Sequence, residues 1–230
     1  MKLSPFFRYF GAKHKKIKYY PAPKWKRIIE PFAGSASYSL HFSDYEVLLY
    51  DGSEYVCGIW DYLIHASESD ILALPHICLN VNHLQICQEA KWLISLCYAQ
   101  NDSRPRTEIS PSAIIGHDKT SPLAAWGKEF RQRIADQLQY IRHWKIAKCD
   151  YLQIPDIHGT HFIDPPYQTN KKRYPADVFD YPALANWCRQ RNGQTIVCEN
   201  SAANWLPFEH LYTQKHSNGK KTFSEAMYTQ

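Results

Sequence analysis

The chain has 230 residues, of which 44% are hydrophobic and 14% aromatic, with 27 Lys plus Arg against 22 Asp plus Glu for a net charge of +5. That composition suits one domain with a real core and excludes a disordered chain. No run of about 18 apolar residues predicts a membrane span, and the charged start MKLSPFFRYFG lacks the apolar stretch of a signal peptide.

Lys26 to Glu30 reads as a short β-branched strand that breaks into Pro31-Phe32-Ala33-Gly34. Ser35 to His41 reads as the opening of a helix whose serines can cap its free N–H groups. Glu46 to Tyr50 is a second buried strand, ending at Asp51-Gly52. Glu54 to His65 then shows the helical period in Val56, Ile59, Trp60, Leu63 and Ile64. Alternation of strand and helix predicts a parallel sheet. Between 66 and 144 the pattern weakens: His83 to Ala99 and Leu123 to Trp144 look helical, around a polar stretch at about 101–121. The sheet pattern resumes at Lys145 to Asp150 and at Thr160 to Ile163, which runs into Asp164-Pro165-Pro166-Tyr167. A helix is predicted at Tyr181 to Arg191, a strand at Gln194 to Cys198, and short strands near Tyr212 and Ala226-Met227. The expected organisation is an α/β domain from 1–66 and 145–230, with 67–144 as a mostly helical insertion carrying a flexible loop at about 101–121.

The positive charge is local. Residues 1–29 hold nine basic side chains and no acidic one; the remainder carries 18 basic against 22 acidic, net −4. Such a segment reads as a solvated tail or as a surface that meets a polyanion. The seven cysteines form no C-x-x-C pair, and the eleven histidines stand in no metal-ligand spacing. Reduced structural thiols in a cytosolic protein are expected, with no metal site.

Three features fall at predicted strand ends, where an open α/β sheet places its ligands. The small-residue turn at 30–37 lets the backbone approach a ligand, or is a plain tight turn. Asp51, 17 positions after Gly34, is placed to grip ribose hydroxyls, or caps the helix that begins at Glu54. In Asp164-Pro165-Pro166-Tyr167 the two prolines lack N–H groups and stiffen the chain, so Asp164 and the Pro165 carbonyl face outward as acceptors beside a flat ring. Two fixed acceptors and a stacking face suit a planar base with an exocyclic amine.

The DPPY at Asp164–Tyr167, the Pro-Phe-Ala-Gly turn at 31–34 and the N-terminal Arg8-Tyr9-Phe10-Gly11-Ala12-Lys13 resemble the Dam-type DNA adenine-N6 methyltransferases, in the same order along the chain. The resemblance covers 6–66 and about 145–228. It implies a Rossmann-like seven-stranded methyltransferase sheet, a small helical insertion for target recognition, and S-adenosyl-L-methionine as cofactor. It places Tyr9, Lys13, Phe32, Gly34, Asp51, Asp150 and Asp164 at the cofactor, and Asp164, Pro165, Pro166 and Tyr167 in the catalytic loop. Here Ala12 stands where the family has the second glycine of Gly-Gly-Lys, and Ala36 where it has a further glycine. The expected partner is DNA, double-stranded, with no membrane and no required protein partner. Its phosphates would meet Lys15, Lys16, Lys171, Lys172, Arg173, Lys220 and Lys221, and its bases Arg104, Arg106 and Lys119 in the middle loop. No Pro-Cys dipeptide occurs, which speaks against cytosine-C5 chemistry. Glu199-Asn200 reads as pocket lining. Cytosine-N4, RNA adenine and glutamine side chains remain as other amines, and a catalytically silent nucleic-acid-binding relative as another class.

Overall fold

A computed structural model describes residues 2–75, 80–98, 104–108, 126–169, 179–215 and 222–230. Seven strands form one sheet: β1 Arg27–Glu30, β2 Glu46–Asp51, β3 Lys145–Lys148, β4 Gly159–Ile163, β5 Gly193–Asn200, β6 Glu209–Lys215 and β7 Thr222–Thr229. Their spatial order is β3-β2-β1-β4-β5-β7-β6, so the Rossmann-like α/β sheet expected from the sequence is present. The five strands β1 to β5 run parallel, and β7 enters antiparallel between β5 and β6. The order reverses between β1 and β4, which opens a crevice at their C-terminal ends.

Five α-helices are described: α1 Glu54–His65, α2 Glu68–Ala73, α3 Gln88–Tyr98, α4 Lys128–Leu138 and α5 Tyr181–Arg189. Strand residues alternate between faces, as the two-residue period requires. Phe162, Ile196 and Cys198 join one apolar cluster with α1, α3 and α4, while Ile163 and Val197 join a second with α5. Buried Ile71, Leu93 and Ile134 place the helices of the 67–144 region in the same cluster as the sheet.

The basic N-terminal segment is folded in, not a tail. Phe6 and Phe7 pack on Trp60 with ring centroids 5.7 and 5.5 Å away, and Leu3, Ile17 and Tyr20 are buried with them. Burying each such side chain contributes about 1.5–3 kcal/mol, enough to hold a segment with one short 3-10 turn, Ile17–Tyr19.

Several expectations are corrected. The helix expected over Ser35 to His41 is only a 3-10 turn at Ser39–His41. Gly34 and Ala36 both take left-handed backbone angles, φ +46° and +49°, which break a right-handed helical run before it can start. Ser37 Oγ accepts the Lys13 N–H at 3.1 Å and lies 3.2 Å from Ser35 Oγ, and the Ser39 backbone N–H donates to Glu30 Oε1 at 2.8 Å. α2 was not expected; Ser67 and Asp70 start it with a reciprocal capping box. The first predicted middle helix begins later, at Gln88, after a 3-10 turn at Val81–His83; the second has a helix at Lys128–Leu138 capped by Gly127, with 123–125 outside the described residues. Of the loop at about 101–121, only 104–108 lies within the described residues, and Glu108 there bridges to Asn80.

Candidate active site

A cavity of about 590 Å³ opens at the reversal point, bounded by the β1 and β4 strand ends, the N-terminal segment and one face of β6–β7. Its β1–β2 side is shaped by main chain. The Ala33 N–H donates to the Tyr50 carbonyl at 2.9 Å, tying the turn to the next strand. Asp51 accepts the Gly34 N–H at 3.0 Å through Oδ2 and the Ser53 N–H at 2.8 Å through Oδ1. Burial pushes the Asp51 carboxyl upward, while these two donors pull it back. Trp60 Nε1 donates to the Gly34 carbonyl at 2.8 Å from below. A Cβ at Gly34 would meet two Tyr9 ring carbons at 3.1 Å, so the small residue lets that ring lie on the turn. Phe32 lines the same side, its ring 5.7 Å from Tyr151 and 5.9 Å from Phe179.

The opposite side is built from side chains. Lys13, 7% exposed, sends Nζ to both oxygens of Asp164, at 2.6 and 2.7 Å, and stands 3.8 Å from Glu225 Oε1. Burial opposes its charge, but the attraction of Asp164 and Glu225 outweighs burial and raises its pKa. The same ammonium lies 4.8 Å above the Tyr167 ring. Glu225, 1% exposed, takes hydrogen bonds from Tyr20 OH at 2.7 Å and from Tyr167 OH. Burial raises its pKa, against the pull of Lys13 and Tyr167. Phe223, two residues back on β7, faces Tyr167 almost in parallel, 14° between planes and 6.4 Å between centroids. Tyr181 OH donates to the Pro166 carbonyl at 2.9 Å and holds the double proline from behind.

Tyr9, Lys13, Phe32, Gly34, Asp51, Asp164, Pro165, Pro166 and Tyr167 therefore all line one cavity. Two assignments land elsewhere. Asp150 is exposed and outside the lining; it caps a 3-10 turn by accepting the Leu152 N–H at 2.9 Å. Glu199 is not lining but support, accepting the Gln168 and Asn200 N–H groups, each at 2.5 Å. Burial lifts its carboxyl to about 7. Lys16 half-lines the cavity mouth, and Lys15 is exposed nearby. Arg104 and Arg106 are exposed on a stretch pinned to α3, where the Arg106 N–H donates to Ser95 Oγ at 2.5 Å. Lys119, Lys171, Lys172, Arg173, Lys220 and Lys221 lie outside the described residues. Sequence reasoning missed Glu225, Tyr20, Phe223 and Tyr212. It also missed Glu30, a 2%-exposed carboxyl at the end of β1 that burial lifts to about 8. Among the described residues, no group of His, Cys, Asp and Glu is arranged to hold a metal, and no helix is long and apolar enough to cross a membrane.

No known protein family and no curated protein matches this chain.

Proposed function

We propose that this protein is a methyltransferase that moves a methyl group from S-adenosyl-L-methionine to the N6 amine of an adenine turned out of DNA. The observation that carries the reading is the continuity of one cavity from the Gly34–Asp51 turn to Asp164, Pro165 and Tyr167 at the end of β4. A cofactor of nucleoside type fits that first half. Its volume lies within the usual ligand range, the Gly34 cradle admits close contact, and each Asp51 oxygen spends one acceptor position on a backbone N–H and keeps another for a ribose hydroxyl. Phe7, Phe32 and Tyr9 supply apolar walls, and the Lys13 segment closes the cavity above them. When bound, S-adenosylmethionine would supply an already electrophilic methyl group, so no covalent enzyme nucleophile is required.

The chain's own residues then act on the amine, whose lone pair is delocalised into the ring. Unstacking the base costs a few kcal/mol, and stacking on Tyr167 returns about 1–3 kcal/mol. Asp164 and the Pro165 carbonyl accept the two amine hydrogens and draw the nitrogen towards a tetrahedral, nucleophilic form. After transfer the amine's surplus proton leaves through Asp164 to solvent. Lys13 occupies the place such an amine needs, over Tyr167 and on both Asp164 oxygens, so an arriving base must displace it. Glu225, 3.8 Å away, is the anion that receives it. Fixed alignment of amine and methyl supplies much of the rate.

Transfer of labelled methyl from S-adenosylmethionine to DNA tests the reading. The wild type is expected to label DNA, and Asp164→Ala to lose about 10²–10⁴-fold of that rate. Undiminished transfer in Asp164→Ala overturns the assignment.

A further inference from the structure

Tyr19 is 44% exposed, although its ring packs tilted on Tyr212, which lines the cavity, with 4.8 Å between centroids and 32° between planes. Lys16 Nζ lies 5.0 Å from the Tyr212 ring, and Lys18 Nζ 5.0 Å from the Tyr19 ring. Neither lysine pairs with a carboxylate among the described residues, and residues 13–20 hold four lysines and no acid. The pair is continuous with the interior. In the β6–β7 ladder Tyr212 sits opposite Glu225 and Gln214 opposite Phe223, and all four line the cavity. A base held at Tyr167 thus has the tyrosine pair one step along the same wall.

From this geometry we infer that Tyr19 and Tyr212, with Lys16 and Lys18, form a second nucleotide site at the cavity mouth. It takes an unpaired base next to the target on the same strand, stacked on the Tyr19 ring once the Lys18 ammonium now over it moves to the base's phosphate, which it meets together with Lys16. An exposed ring on a packed ring, beside uncompensated cations, is the pattern by which proteins hold single-stranded nucleic acid without reading its sequence. The strand therefore enters locally unpaired, either as single-stranded DNA or where the duplex has been opened around the target. The inference rests on the nucleic-acid reading above, and its test needs no methyl transfer.

Fluorescence anisotropy with a labelled oligothymidylate, which offers no adenine, measures the site alone. The wild-type chain is expected to bind it, and Tyr19→Ala to weaken binding about tenfold. Tyr19→Trp is expected to retain binding, since it keeps a stacking face, and Lys18→Gln to reduce the salt dependence by about one phosphate contact. Tyr19 is largely outside the core, and unfolding curves of each variant check that it folds. Equal binding by wild type and Tyr19→Ala overturns the stacking site, as does a wild type that methylates adenine-containing DNA yet ignores oligothymidylate. Tyrosine-dependent binding without any methyl transfer leaves the site standing and removes the methyltransferase reading instead.

Discussion

On the β1–β2 side, the cavity is shaped by main chain: Gly34 and Ser53 N–H groups on Asp51, Ala33 on Tyr50, and a left-handed turn over which Tyr9 lies. On the β6–β7 side it is shaped by side chains from distant segments: Tyr20 and Tyr167 on Glu225, Lys13 on Asp164, and Phe223 against Tyr167. The Asp51–Gly34 bond spans 17 residues of chain, the Tyr20–Glu225 bond 205. A wall made of backbone tolerates changes of side chain but not of conformation. A wall made of side chains is undone by one substitution.

Beyond Asp164, Glu225→Gln should disturb the side-chain wall most. The amide oxygen still accepts from the tyrosines, but the charge that draws Lys13 is gone. Losing a charged hydrogen-bond partner costs about 1.5–3 kcal/mol, so kcat for DNA should fall about 10- to 100-fold while cofactor affinity by calorimetry changes little. An unchanged kcat would remove Glu225 from the account, and equal losses in both would mean the two sides are not separable.

Glu30 lies where the two sides meet, and its effect is on stability. Burial pushes its folded carboxyl up to about 8, from an ordinary value near 4.5. The native state therefore keeps a proton that the unfolded chain releases. The resulting stability is complete below about pH 4.5 and is lost as pH rises through 8. His14 and His161, lowered to about 4 mainly by burial, act in the opposite direction only below pH 6.5. Denaturant unfolding at pH 6.5 and 8.5 should show the wild type losing about 2 kcal/mol more than Glu30→Gln. Parallel losses would place the titration elsewhere.

Gly34→Ala disturbs the main-chain wall, and more mildly. A left-handed alanine costs about 1–2 kcal/mol, and its methyl would press on the Tyr9 ring. Cofactor affinity should fall by roughly tenfold with the tyrosine cluster intact, as read by calorimetry against oligothymidylate binding. Loss of both would show that the turn supports both walls.

The same division explains what the sequence disclosed. Strand ends, the Gly34 turn, Asp51 and the double proline are local patterns, and α1 follows its period from Glu54 to His65. Glu225, Phe223 and Tyr212 were hidden because the cavity face of β6–β7 depends on register. A bulge between His210 and Tyr212 sets which residues of β6 face inward, and a one-residue slip would turn every later side chain outward. The missing helix after Gly34 was hidden for a related reason. Ser37 turns its hydroxyl to the Lys13 N–H, and the Ser39 N–H is taken by the Glu30 carboxylate, both partners met only in three dimensions. Asp150 lies outside the cavity lining, and its sequence position beside β3 does not reveal that its carboxylate closes a turn.

The decisive experiment is mass spectrometry of nucleosides digested from DNA incubated with the protein and S-adenosylmethionine. N6-methyladenine should accumulate with the wild type and form about 10²–10⁴-fold more slowly with Asp164→Ala; N4-methylcytosine in its place, or no modified nucleoside from a folded wild type, would contradict the methyltransferase reading.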